Sequence, residues 1–203
     1  MRSEELSDDD PGRTDEDALC PLHRLARLEE ERRMLIEERR KKYHELLADP
    51  DYTDVAFNPD TGGLKATHVG HNFDKKKGWY EKSVQDIGFN NGHEVILTEE
   101  FSNRINVKNP EGLWNGKYFE IAASETGTKR NIREALKHSV SKPNTQIAVV
   151  FIPRTSTTEN IEEGLRMFNG LRGTNQWKLF DEIYFITADG EMIIKKPAKE
   201  AGS

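Results

Sequence analysis

The chain has 203 residues, 36 of them acidic and 30 basic, for a formal charge of −6, with 34 % apolar and 33 % charged side chains. Domains commonly run to ~100–150 residues, so this length admits one domain with an appendage and excludes two full ones. No apolar run approaches the roughly 20 residues that span a bilayer, Sec export is not expected because no apolar run follows basic residues near residue 1, and the lone Cys20 permits neither an internal disulfide nor a cysteine-held zinc. A reducing compartment is expected.

Residues 1–17 hold eight acidic side chains against Arg2 and Arg13, a net of −6 that equals the charge of the whole chain. The remainder is balanced, so global charge makes no case for nucleic acid, although a local basic face can still bind phosphate. The tail has almost nothing apolar to offset the entropy of ordering, and we read it as disordered.

Pro21 suits the first turn of a helix, and no Gly or Pro interrupts the good helix formers from there to Leu47, which predicts one long charged helix within 18–49. Glu29/Arg33, Glu37/Lys41 and Glu38/Lys42 are spaced four apart in the favourable order. Leu22, Leu25, Leu28, Leu35, Ile36, Tyr43, Leu46 and Leu47 make a thin, drifting stripe, suited to packing on the domain, on a partner protein or on a second copy. Asp-Pro at 49–50 and Asn-Pro-Asp-Thr-Gly-Gly at 58–63 predict a linker loop over 50–63.

A compact domain is then expected over 64–197, with residues 198–203 disordered. Leu64–Val69 reads as extended. A helix follows from about Lys77 to Ile87, burying Tyr80, Val84 and Ile87 and stopping at Gly88. Strands are predicted at Glu94–Leu97, about Asn103–Val107, Lys117–Ala122 and Thr145–Ile152, the last apolar enough to sit mid-sheet. Between the last two, Ile132, Ala135, Leu136, Ser139 and Val140 mark a helix over Lys129–Ser141 with Thr128 as its N-cap. A helix at about Glu159–Phe168 and a hairpin of Glu182–Thr187 with Glu191–Lys195 about Ala188-Asp189-Gly190 complete the chain. This order implies an α/β (α+β) domain: a mixed central sheet with helices on its faces, preceded by the long helix.

Glu81, the run Glu120-Ile121-Ala122, the helix after it and the strand through Ile152 together resemble the restriction-endonuclease-like tRNase domains at the C-termini of contact-dependent growth inhibition toxins, over roughly residues 64–195. Gly-His-Asn-Phe at 70–73, Trp-Tyr-Glu-Lys at 79–82, Trp-Asn-Gly at 114–116 and Asn-Ile-Arg-Glu-Ala-Leu-Lys-His at 131–138 are similar to domains fused behind head-morphogenesis proteins of phages and prophages in Bacteroides-type bacteria. The resemblance implies a restriction-endonuclease-like fold in which a helical acid, a strand Asp and a Glu-x-Lys surround a divalent cation that activates water. Glu81 matches the helical acid and Glu120 the strand glutamate, so both become candidate ligands for magnesium or zinc. Ala122 stands at the lysine position, and the preceding strand offers Asn106 or Asn109 where an Asp belongs. Lys129, beside Ser124 and Thr126, is a candidate replacement for the lysine.

The residues also carry blander readings. An edge or pocket carboxylate such as Glu120 is as often paired with a nearby Lys or Arg, and Glu81 alone reads as an exposed helix charge. His68 and His71, with Asp74 behind them, fit metal ligands or the acid/base pair of a metal-independent ribonuclease, although loop histidines are common. Arg130, Arg133 and Lys137, with His138 beside them, offer a basic ridge for phosphates or merely a solvated face. Trp79 and Trp114 suit base stacking or the core. Two functions are therefore expected to compete. One is a phage- or mobile-element-encoded domain that cleaves RNA, tRNA in particular, in the cytoplasm of a bacterial host. The other is a decayed nuclease fold that binds a protein, as a virion component or a host-protein inhibitor.

Overall fold

The computed structural model describes residues 21–73, 78–99, 110–154, 156–170 and 179–196. The acidic tail, Asp74, the strand expected at 103–107 with Asn106 and Asn109, and the C-terminus from 197 lie outside the described residues. Among the described residues no helix is long and apolar enough to cross a membrane.

The chain divides into two units, residues 1–38 and 39–203, and helix α1 (Pro21–Ala48) contributes to both. In the first unit Arg27 pairs with Glu31 at 3.3 Å, and Arg33 takes Glu30 at 2.6 Å rather than the expected Glu29. Leu22, Leu25, Leu28 and Leu35 are exposed.

The second unit holds the last turns of α1, then β1 (Tyr52–Phe57), β2 (Leu64–His68), α2 (Gly78–Asn90), β3 (Glu94–Leu97), β4 (Gly112–Trp114), β5 (Lys117–Ala123), α3 (Lys129–Val140), β6 (Ile147–Ile152), α4 (Thr158–Asn169), β7 (Glu182–Thr187) and β8 (Met192–Lys195). The strands form one sheet in chain order. β2 and β3 are parallel, as are β5, β6 and β7, while β1, β4 and β8 run antiparallel to their neighbours. This is the mixed sheet with facial helices that the sequence predicts.

The pleat sorts the core into two faces. Along β6, Ala148, Val150 and Ile152 join Ile132 and Leu136 of α3 and Ile161 and Leu165 of α4, whereas Val149 and Phe151 join Val84 of α2, with Tyr80 against them. All six residues of β6 are buried. Leu46 of α1 closes a third cluster with Leu64, Ala66 and Ile96.

Two sequence expectations are corrected, and one strand is added. The stretch 50–63 is not all linker, because residues 52–57 form β1. Its alternation is broken by a bulge between Thr53 and Ala56, with Asp54 at φ 53°, which hides the strand's period. Gly88 does not stop α2. It lies in the helix, where a Cβ would fall 2.6 Å from Trp114 and 2.7 Å from Val95, so it is the residue that lets α2 reach the sheet. Lastly, β4 is a three-residue strand that ends in an Asn115-Gly116 hairpin turn with both φ positive, 50° and 78°.

Arg39 joins the turns of this unit. Its guanidinium, 6 % exposed, donates to Gly62 O at 2.7 Å, Gly92 O at 2.5 Å and Asn115 Oδ1 at 2.8 Å. Asn115 Oδ1 also accepts from Glu94 N at 2.9 Å, and Asn115 Nδ2 donates to His93 Nδ1 at 3.0 Å. Lys42, one turn beyond Arg39, pairs with Glu94 at 2.6 Å.

Arg39→Met removes the donors and strands the carbonyls of Gly62 and Gly92, while Asn115 Oδ1 keeps Glu94 N, so a loss of ~2–4 kcal/mol is expected in urea unfolding; a loss under about 0.5 kcal/mol would show that water replaces the guanidinium. Burial, aided by the Arg39 charge, pushes His93 down to about 4. A depressed histidine binds fewer protons folded than unfolded, so stability is present above the unfolded value near 6.5 and is lost as pH falls toward 4. After allowance for partial exposure, that loss is ~2 kcal/mol. Stability measured across that window in His93→Gln should have a shallower slope than wild type.

Candidate metal centre

The carboxyl ends of β2 and β3 and the amino ends of α2 and β4 meet at one edge of the sheet. His71, Glu81 and Glu111 converge there, each offering a ligand atom within 4.8 Å of the others.

Each side chain is placed by a different element. His71 leaves β2 through a turn in which its N–H donates to His68 O at 2.9 Å, and its ring packs edge-on against Phe73 at 4.7 Å. Glu81 belongs to the buried stripe of α2 with Val84, Gln85 and Gly88, and is 5 % exposed. Glu111 is held between two strands, its N–H donating to Phe119 O at 3.0 Å and its carbonyl accepting from Thr98 N at 3.1 Å.

Thr98 ties two of the three together, because its carbonyl lies 2.9 Å from His71 Nδ1. A carbonyl only accepts, so Nδ1 carries a proton, and Nε2 faces Glu81 Oε2 at 3.5 Å. A backbone carbonyl on the far nitrogen is the usual partner of a metal-ligating histidine. Glu81 Oε2 is buried without a hydrogen-bond partner among the described residues. Two carboxylates this close repel each other, and a divalent cation removes that repulsion. One imidazole and two carboxylates suit zinc or manganese, and with water also magnesium.

The pairing of Glu81 with Glu120 as one metal site is corrected. Glu120 is opposite Ala148 on β5 and shares the α3 face of the sheet, whereas Glu81 covers the α2 face. Glu120 is 1 % exposed and meets His138 Nε2 at 3.2 Å and Lys142 Nζ at 3.1 Å, a carboxylate paired with side chains of α3 and of the turn after it.

The other expected residues are dispersed. Lys129 pairs with Glu163 of α4. His68 does not enter the cluster: its Nδ1 accepts from Gly70 N at 3.0 Å and its ring stands edge-on to Tyr52. Arg133 and Lys137 both bond Glu134, while Arg130 is exposed in the first turn of α3. Trp114 is fully buried, and Trp79 is 56 % exposed with its ring edge-on to Phe151.

Sequence reasoning missed Glu111. The Asn115-Gly116 signal fixes a hairpin of Gly112–Trp114 with Lys117–Phe119, which puts Glu111 at the sheet edge beside Thr98.

No family model matches this chain, and no curated protein matches it. One solved structure is similar, the CdiA-CT/CdiI toxin and immunity complex from Burkholderia pseudomallei. Identity is 22 % and the TM-score 0.46, over 64 % of this chain and 91 % of that one. At those values the likeness assigns this chain no family.

Manganese or zinc at ~100 times its Kd should stabilise the protein by about 2.7 kcal/mol against urea. His71→Ala and Glu111→Gln should abolish that gain and Glu120→Gln should keep it; equal gains in all four proteins would refute the ligand set.

Proposed function

We propose that residues 64–197 form a metal-dependent nuclease domain of restriction-endonuclease-like type that cleaves RNA, with tRNA as its substrate, from a centre built on His71, Glu81 and Glu111. The observation that carries this reading is the convergence of an imidazole and two carboxylates from separate elements on the carboxyl edge of parallel strands, the edge where α/β sheets place their ligands. Glu81 is also the helical acid in the resemblance to tRNase toxin domains, which supplies the choice of RNA and of tRNA within it.

A divalent cation in such a site polarises a phosphoryl oxygen and lowers the pKa of bound water. The chain's own residues do the rest. Thr98 O fixes the His71 tautomer, the buried face of α2 orients Glu81, and the backbone bonds to Phe119 and Thr98 hold Glu111. Exposed Trp79, two residues before Glu81, offers a ring face to an unpaired base. Phage or mobile-element origin, action in a bacterial host's cytoplasm, and docking to a partner through α1 complete the proposal.

The test incubates total tRNA and duplex DNA with the full chain and magnesium, manganese or zinc. Cleavage of tRNA that chelator abolishes, that falls at least ~100-fold in Glu81→Gln and Glu111→Gln, and that persists in Glu120→Gln is the expected result. Cation binding without cleavage of either substrate would overturn the activity and leave a binding protein on a nuclease fold.

A further inference from the structure

We infer that the N-terminus of α3 is a second site, one that binds a phosphate group of a polynucleotide; the polynucleotide part of this inference rests on the activity proposed above.

β5 ends at Ala123 and α3 begins at Lys129, so Ser124-Glu125-Thr126-Gly127-Thr128 carries the chain from strand to helix at the carboxyl edge. The first amides of a helix have no acceptor within it. Thr128 holds the N-cap position with extended backbone, yet its side chain accepts no bond from the first turn, and its Oγ1 lies instead 3.0 Å from Thr126 Oγ1. α4 differs, because its Thr157 accepts from Asn160 N. The first turn of α3 also has no acid and begins Lys129-Arg130, the wrong sign for the positive end of a helix dipole. An anion at that end reverses the penalty.

A second, independent observation points to a ligand. Ser124 is fully buried, and its Oγ has no hydrogen-bond partner among the described residues. Side chains alternate along β5. Glu120 meets His138 and Lys142, and Ala122 packs with Ile132 and Leu136, so Ser124, two residues further, points to the same α3 face at the end of the strand where that helix starts. Gly127 N closes a turn onto Ser124 O at 3.1 Å, and Ser156 Oγ fixes the turn from the other side by donating to Gly127 O at 2.7 Å. Gly127 takes φ +63°, and a Cβ there would press on Ile152 and Ser156 at 3.1 Å.

Unengaged helix amides, a buried hydroxyl with a hydrogen to donate and an exposed guanidinium at Arg130 make a donor set that matches phosphate oxygens. Lys129 is held by Glu163, so Arg130 supplies the long-range attraction. Such a site grips backbone without reading sequence. The cation site lies at the same edge of the sheet on its α2 face, so a strand crossing the edge would meet both.

The full chain in chelator, labelled with nitrogen-15, is titrated with inorganic phosphate and separately with a twelve-residue oligouridylate. Both should shift the amides of Lys129, Arg130 and Asn131. Ser124→Ala and Arg130→Gln should each weaken both ligands about fivefold or more. The melting temperature of Ser124→Ala should hold or rise, because it removes a buried hydroxyl with no hydrogen-bond partner among the described residues. Manganese binding at His71 should be unchanged, which separates failure here from failure of the nuclease. Unmoved amides, or wild-type affinity in both variants, would overturn the site. Shifts with phosphate but none with oligouridylate would overturn its assignment to a polynucleotide.

Discussion

The guanidinium of Arg39 is where three turns of the chain come together. Gly62 precedes β2, Gly92 precedes β3, and Asn115 leads into β5, so the acceptors it gathers stand at the amino ends of those parallel strands. A cation that is 6 % exposed is tolerable only with its donors satisfied, and the turns hold their carbonyls in place only while the cation is there. The dependence spreads further through Asn115, which accepts from Glu94 N and donates to His93 Nδ1. One edge of the sheet is thereby fixed in register by a single side chain from the last turns of α1.

The opposite edge holds the candidate metal site. Parallel strands deliver their carboxyl ends to one side, and the helices that follow present their amino ends there, with unbonded amides and partial positive charge. His71, Glu81 and Glu111 come from a turn after β2, the first turn of α2 and the approach to β4. Thr98, at the end of β3, links two of them through its own backbone. A site assembled from so many segments holds its geometry only if the strands beneath it cannot slip, and the Arg39 edge supplies that constraint.

What was legible in the sequence followed from period and punctuation. The apolar run of β6, the 3.6-residue spacing in α3 and the turn at Ala188-Asp189-Gly190 each stated their element directly. β1 was hidden because a bulge at Asp54 cancels the alternation that marks a strand, and β4 because three residues are too few to show a period. Gly88 was misread because a helix glycine pressed against Trp114 looks, in one dimension, like a helix end. Glu111 lies before the short strand with no periodic context. The failure of the Glu81–Glu120 pairing is of another kind. That Glu120 faces away from Phe119 and Ile121 can be read from the alternation, but which helix covers which face depends on crossovers that the local pattern does not encode.

The two buried glutamates are told apart by what surrounds them. Glu120 has an ammonium at 3.1 Å and an imidazole at 3.2 Å, so its charge is compensated from within the fold, and replacing it would leave Lys142 without its partner. Glu81 lies nearly as deep, but the groups beside it are a second carboxylate and an imidazole whose Nδ1 donates to Thr98 O. That arrangement is unfavourable for two anions by themselves and favourable around a cation. The chemistry of the partners, more than depth or family position, therefore assigns Glu120 to the fold and Glu81 to the site.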